Sequence, residues 1–428
     1  MLDIKYIRKD PAAVKDALAR RGDTSAIDEL LRMDAQRRRL LTEAEGLKSR
    51  KNAVSREVGK AKACGGNASA AIDEMKEVSG RIEVLDMKVA EIDSNIEDLM
   101  LRIPNIPSES IPSGVCSDNN RIVKHCGEPR RFDFEPSQHW ELGERLGILD
   151  FASGSVLSGS NFPLFKGMGA RLERALYGFM LDMHVEKHGY TEVAPPYMVR
   201  RECMLGTGQL PKLEGDMYLC EQDDLFLIPT AEVPLVNIHR GRLIDERELP
   251  ISYVAYSPCF RREAGSYGKD TRGLIRVHQF DKVELVKFTR PADSFLALDE
   301  MLGHAEEVLR ALGLPYRVLE LCAGEISFAS AKTYDIEVWA GGAGKWLEVA
   351  SVSTCGDFQA RRAGIRCRLK EGKGTFYPHT LNGSGVALAR TYIAIVENYQ
   401  NADGTVSIPG ALVPYMGGAE VIGRKGGG

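Results

Sequence analysis

The 428-residue chain has no Cys-x-x-Cys pair. Its nine cysteines are scattered singly from Cys64 to Cys367, and none joins a Cys/His run with zinc-ligand spacing. No zinc is expected, and an odd set of isolated cysteines reads as reduced thiols in a cytoplasmic protein. Long apolar runs are also missing, since no stretch reaches the roughly 20 residues that span a bilayer. Met1 to Asp10 alternates charged and apolar residues where a secretion signal would place a basic segment and an apolar core. The expectation is a protein without membrane association. Nor is there an excess of one charge: 56 basic residues stand against 60 acidic ones, net −4, so any case for nucleic acid must be local. The length exceeds one ordinary core and implies two domains, or one large catalytic domain with an appendage.

The sharpest regularity is Met75, Val78, Ile82, Leu85, Val89, Ile92, Ile96 and Leu99, an alternating three- and four-residue spacing that predicts a coiled-coil seam. Upstream, Met33, Leu40, Leu47, Val54 and Ala61 recur every seventh residue. Cys64-Gly65-Gly66-Asn67 breaks the pattern between them, so two helices are expected to fold back as an antiparallel hairpin, an arm over about 27–101. Helices of about thirty residues give a rod roughly 45 Å long, too thin for an active site. It can serve as a dimerisation or spacer coil, or as a grip on another molecule. Arg32, Arg37, Arg38, Arg39, Lys48, Arg50, Lys51, Arg56, Lys60 and Lys62 give the first helix a charge of roughly +6. That ridge suits a phosphate backbone better than a symmetric seam.

After Leu101, Pro104, Pro107, Pro112 and Gly114 mark a linker. The expected division is an N-terminal domain at 1–106, a linker at 107–115 and a catalytic domain at 116–428. From Val115 onward, short β-patterned runs mix with isolated helices, as in an α+β body on an antiparallel sheet. Gly167-Met168-Gly169 follows no strand and lacks the third glycine of a dinucleotide fingerprint. Gly341 to Lys345 lacks the first glycine of a phosphate loop, and Trp346 replaces its Ser or Thr.

Tyr253 to Glu263 is a β-patterned run in which Arg261 and Glu263, two apart, should share a face. Leu274 to Phe288 places Arg276, His278, Phe280, Lys282 and Glu284 on one face and Ile275, Val277, Val283 and Leu285 on the other. The polar face is either solvated, with incidental salt bridges, or a nucleotide cradle with Arg for phosphate, Glu for an exocyclic amine and Phe for stacking. The polar loop Ala264 to Gly273 between the runs is too long for a tight hairpin, and long loops are often functional. A helix beginning near Ser384, with Asn382 and Ser384 as natural caps, is apolar nearly all round. Its only cation, Arg390, should be buried and needs an anion, either a structural carboxylate or a ligand phosphate.

These motifs carry a resemblance. Gly178 to Val199, through His188-Gly189-Tyr190 to Pro195-Pro196, resembles the first signature of the class II aminoacyl-tRNA synthetases. Cys259-Phe260-Arg261-Arg262-Glu263, with Asp270-Thr271-Arg272-Gly273 and Arg276-Val277-His278-Gln279-Phe280, is similar to the second signature in its seryl form. His379 to Gly385 running into Arg390 is similar to the third. With the arm, the chain resembles the bacterial seryl-tRNA synthetases over nearly its whole length.

The resemblance implies an antiparallel-sheet class II catalytic domain that activates serine with ATP and transfers it to serine tRNA, with selenocysteine tRNA as a further expected partner. It implies that Arg261 holds the α-phosphate, Glu263 the adenine amine, Phe280 stacks on adenine and Arg390 meets the γ-phosphate, with Arg262 beside them. Thr230-Ala231-Glu232 matches the serine-binding tripeptide, with Thr230 and Glu232 on one strand face; Glu284 and Ser384 complete the serine pocket. Glu348, Val349, Ala350 and Ser351 match the ATP segment, with Glu348 and Ser351 as magnesium contacts. Strand alternation would separate those two, so a bulge or bend is required there. The first signature implies a homodimer. The arm implies recognition of the long variable region of serine tRNA by shape and backbone. His278 and His379 are expected to be structural, and Cys259 and Cys355 small buried hydrophobes. Ala350, Val352 and Thr354 stand where the family commonly has Ser, Cys and Asn, and Asn161 where it has Arg. Gly341 to Gly344 replaces a stiffer turn, for which weaker ATP affinity is expected. An amino-acid ligase acting on a carrier protein and a catalytically dead paralogue are rival assignments, disfavoured by the basic arm and by the intact Arg and Glu set.

Overall fold

The computed structural model describes residues 1–65, 67–264 and 272–424. The chain divides into two compact units, one of residues 2–19 and 23–103, the other of Met1, residues 20–22 and the chain from Pro104 onward.

In the first unit, α1 (Ile27–Ala63) and α2 (Ser69–Arg102) form the expected hairpin and run longer than expected, 37 and 34 residues. At 1.5 Å per residue α1 measures about 55 Å. Met75, Ile82, Leu85, Val89 and Ile92 are buried, with Leu40 and Ala44 opposite them. The basic ridge is partly neutralised, a point the sequence reading missed. Arg37 pairs with Asp93, Lys48 with Asp86 and Arg50 with Glu74 across the hairpin. Lys48 and Asp86 are 2.8 Å apart and half-exposed. Such pairs contribute about 0.2–1 kcal/mol each, against about 1.5–3 kcal/mol for each buried aliphatic side chain. The apolar seam therefore holds the arm, and the ion pairs set its register.

The second unit is built on an eight-stranded sheet: β1 (Arg121–Cys126), β2 (Thr191–Glu192), β3 (Ile251–Phe260), β4 (Gln279–Thr289), β5 (Tyr316–Glu320), β6 (Lys332–Ala340), β7 (Lys345–Gly356) and β8 (His379–Ala387). Their order is β1-β5-β6-β7-β8-β4-β3-β2. All neighbours are antiparallel except β2 and β3. Helices α3 (His139–Leu146), α4 (Met168–Asp182), α5 (Ser294–Ala311) and α6 (Leu388–Asn398) join the sheet in one apolar cluster, to which Val283, Leu285, Ile336 and Val352 contribute from the strands. Alternation sends Phe280, Lys282 and Glu284 to the opposite side. No helix among the described residues is long and apolar enough to cross a membrane.

Several sequence expectations need correction. β3 ends at Phe260 and β4 begins at Gln279, so Arg261, Glu263, Arg276 and His278 lie on loops and not on strand faces. Glu263 has a left-handed φ of 51° that no strand accommodates. Thr230 and Glu232 do not share a strand. The strand there is Leu225–Leu227, Pro229 supplies no ladder donor, and Thr230 Oγ1 accepts from Glu232 N at 3.2 Å, turning the chain into the helix Glu232–Asn237. Asn382 and Ser384 are not caps. They lie on β8, and α6 starts at Leu388 behind Ala387. Arg390 is not buried either: its side chain is 28% exposed, because the first turn of α6 opens toward a cleft. Asp270 and Thr271 fall outside the described residues, as does most of the loop between Ala264 and Gly273.

Candidate active site

A cavity of about 500 Å³ lies over the polar face of β4. One group of residues lining it is cationic and aromatic. The Arg261 guanidinium sits 5.1 Å from the centre of the Phe280 ring. The Arg261 backbone carbonyl accepts from the His278 ring at 3.1 Å, and its amide donates to the His278 carbonyl. His278, packed 5.3 Å from Phe162, thus holds Arg261 in place. Asn161 adopts φ 62°, a conformation Asn tolerates well, and its carbonyl accepts from His278 N. Glu263 pairs with Arg276 at 2.5 Å. Arg390 Nη1 donates to the Glu348 carbonyl at 2.8 Å and lies 3.4 Å from the Glu348 carboxylate, while Nε donates to the Ile275 carbonyl at 3.3 Å.

A second group of residues is small, acidic and hydroxylic. Lys282 pairs with Glu284 at 2.5 Å and donates to Thr230 Oγ1 at 2.9 Å. Ser384 stands directly opposite Glu284 in the β8–β4 register. Glu232 accepts from Gln359 at 2.6 Å, and Gln359 accepts from Thr380 at 2.7 Å. Burial, reinforced by Glu284, pushes the Glu232 carboxyl up to about 7.

The irregularity required between Glu348 and Ser351 is present. Ile336 pairs with Ala350 but Glu337 pairs with Glu348, so Val349 is the extra residue of a bulge and both Glu348 and Ser351 line the cavity. Behind them Asp335 Oδ1 is buried with no partner among the described residues. Burial, then the nearby Glu348 carboxylate, pushes the Asp335 carboxyl well above its usual range. The Glu348 carboxylate and the Ser351 hydroxyl on the cavity wall, with the Asp335 carboxyl behind them, are hard oxygen donors of the kind magnesium takes.

The cavity therefore brings together Arg261, Glu263, Phe280, Glu348, Val349, Ser351 and Arg390 with Thr230, Glu232, Glu284 and Ser384. Three expected residues do not join its wall: Ala231 and Ala350 are packed in the core and Arg262 is exposed. Lys282 was legible on the polar face but had been given no role. Gln359 carried no signal, since a single Gln in a short helix looks like surface until its burial is seen. Cys259 and Cys355 are buried, and burial pushes both thiols up, so they are inert hydrophobes. Gly341 to Gly344 form the β6–β7 turn and do not line the cavity.

Residues 218–399 match the model of the tRNA synthetase class II core domain (G, H, P, S and T), and residues 1–107 that of the seryl-tRNA synthetase N-terminal domain. The serine–tRNA ligase of Pelotomaculum thermopropionicum is 52% identical over 423 residues, 99% of this chain and 100% of the relative. That of Geobacter sulfurreducens is 53% identical over 423 residues with the same coverage. A seryl-tRNA synthetase from Pyrococcus horikoshii, solved in complex with ATP, superposes with a TM-score of 0.94 at 38% identity, covering 100% of both chains. A cytoplasmic serine–tRNA ligase from Naegleria fowleri in complex with AMP gives 0.88 at 32% identity, covering 100% of this chain and 99% of that one. The chain belongs to the seryl-tRNA synthetase family of class II aminoacyl-tRNA synthetases.

Proposed function

We propose that this chain is an ATP-dependent serine–tRNA ligase in which the cavity over β4 activates serine and then charges tRNA. The carrying observation is the convergence of Arg261, Phe280, Glu348, Ser351 and Arg390 with a small pocket of Thr230, Glu232, Glu284 and Ser384. In the first step the serine carboxylate attacks the α-phosphate of ATP, a phosphoanhydride bond breaks, and pyrophosphate leaves. In the second the terminal hydroxyl of the tRNA attacks the seryl carbonyl and AMP leaves. No side chain forms a covalent intermediate; positioning and charge carry the rate. Phe280 stacks on adenine, Glu263 accepts from its amine, Arg261 faces the α-phosphate and Arg390 the γ-phosphate. Magnesium, held by Glu348 and Ser351, would neutralise triphosphate charge. Glu232 and Glu284 take the serine ammonium and hydroxyl.

The N-terminal 1–106 region with its arm grips serine tRNA and, in this reading, selenocysteine tRNA; residues 107–115 link it to the catalytic 116–428 domain. The working form is a cytoplasmic homodimer. Serine-dependent ATP–pyrophosphate exchange, followed by serine charging of total tRNA, tests the proposal. Exchange without charging points to the carrier ligase, and absence of both to a dead paralogue.

Glu232 gives a pH prediction. Its carboxyl, raised to about 7 by burial, must be ionised to hold the serine ammonium, so below pH 7 binding has to expel a proton. The KM for serine is expected to rise about tenfold per pH unit as pH falls below 7 and to level off above it. Glu232→Gln should bind more weakly and lose this slope; a flat wild-type profile between pH 6 and 7.5 removes Glu232 from the ammonium.

A further inference from the structure

A buried dyad that the mechanism leaves unused joins the walls of the cavity. His139, at the start of α3, and Glu397, in the last turn of α6, are both fully buried with 0% side-chain exposure and lie 2.8 Å apart. Glu397 Oε1 accepts from His139 N at 2.9 Å and from His139 Nδ1 at 2.8 Å. Its Oε2 accepts from Gly342 N at 2.9 Å and from Ala343 N at 2.8 Å. Four N–H groups thus fill the roughly four acceptor positions of one carboxylate. On its other side His139 Nε2 accepts from Leu274 N at 3.0 Å. Because that amide donates, Nε2 carries no proton, and the ring is held in the tautomer protonated on Nδ1.

The two clamped segments are those that hold Arg390. Leu274 precedes Ile275, whose carbonyl accepts from Arg390 Nε. Gly342 and Ala343 lead into β7, where the Glu348 carbonyl accepts from Arg390 Nη1. Arg390 and Glu397 are seven residues apart on one helix, close to two full turns, so they lie near one face of α6. Gly273 is part of the arrangement: at φ 75° a Cβ there would lie 2.1 Å from His139 Nε2. Gly342 is likewise held against the Ser137 carbonyl, where a Cβ would approach to 2.2 Å.

We infer that the His139–Glu397 dyad is a positioning device for ATP, setting Arg390 and the Leu274–Arg276 wall together without touching substrate. The inference rests on the functional reading above. A fold-only role would change how much protein is active; a positioning role changes how the active protein binds ATP. The test uses His139→Ala, His139→Gln and Gly273→Ala in the full chain, with exchange rates normalised by titration of active sites. Gln retains one acceptor for Leu274 and one donor for Glu397, so it is the rescuing substitution; Gly273→Ala breaks the same contact from the other side.

The expected result is a KM for ATP raised about tenfold or more in His139→Ala and Gly273→Ala, with the KM for serine changed less than threefold and His139→Gln intermediate. In an Arg390→Ala background, where ATP affinity is read by calorimetry, His139→Ala should add less than threefold. Equal rises in both KM values, a loss confined to the active fraction, or full additivity with Arg390→Ala overturns the inference while the ligase reading stands. If His139→Ala and Gly273→Ala are both insoluble, His139→Gln decides: an unchanged KM for ATP overturns it. Wild-type protein without serine-dependent exchange overturns both readings together.

Discussion

Arg261→Ala is expected to abolish serine-dependent ATP–pyrophosphate exchange, with kcat lowered by about 10²–10³-fold or more, the range found when one preorganised donor is removed from a developing oxyanion. Its guanidinium lies over Phe280 at 5.1 Å and has His278 on its backbone, so its place is fixed before ATP arrives. In the proposed mechanism, deleting it removes the cation assigned to the reacting phosphate and loosens the aromatic platform in the same change. It also removes a positive charge that acts on Glu232, so the serine KM should rise modestly as well. Arg261→Lys should recover little, because an ammonium cannot reproduce the planar two-point fork. Arg390→Ala provides the contrast: a residue meeting the γ-phosphate should raise the KM for ATP more than it lowers kcat. Unchanged exchange in a folded Arg261→Ala protein, checked by its melting curve, would remove Arg261 from the α-phosphate.

Much of this site was legible in the sequence, because the information was local. Period-two alternation over 279–289 put Phe280, Lys282 and Glu284 on one face, and the strand obeys it. The heptad spacing of the arm was legible for the same reason. The irregularity at Glu348–Ser351 followed only from the family resemblance, which set both residues on one metal against strand alternation, and a bulge supplies it. What failed was extrapolation past the ends of strands. Arg276 and His278 continue the alternating pattern, yet Leu274 N is taken by the His139 ring and not by a neighbouring strand. Thr230 bonds the backbone of Glu232 and starts a helix where alternation predicted a strand. Gln359 and the His139–Glu397 dyad were illegible in principle. Glu232 lies 127 residues from Gln359, and His139 lies 258 residues from Glu397; no period in a sequence encodes a contact at that separation.

Removing Arg32 to Asp98, with the helix stubs bridged by a short Gly/Ser linker, should leave exchange within about twofold of wild type and reduce tRNA charging by about 10³- to 10⁴-fold at 0.15 M salt. The first half follows from location. The cavity is lined only by residues between Thr207 and Arg390, and the arm's apolar cluster of Leu40, Ala44, Leu85, Val89 and Ile92 is lost whole. The second half follows from charge. Arg37, Lys48 and Arg50 are engaged across the hairpin, but Arg32, Arg39, Arg56, Lys60 and Lys62 are exposed and take no ion-pair partner among the described residues. Five cations on five phosphates release counterions with a salt slope of about 0.9 each, which gives the stated loss at 0.15 M. Replacing those five by Gln in the intact arm should therefore flatten the logarithmic dependence of the tRNA KM on salt by about 4.5, whereas altering Arg37, Lys48 and Arg50 should chiefly lower the melting temperature. Charging that survives the deletion within tenfold would show that the grip on tRNA lies elsewhere, and exchange lost along with charging would show that the arm is needed to hold the catalytic cleft together.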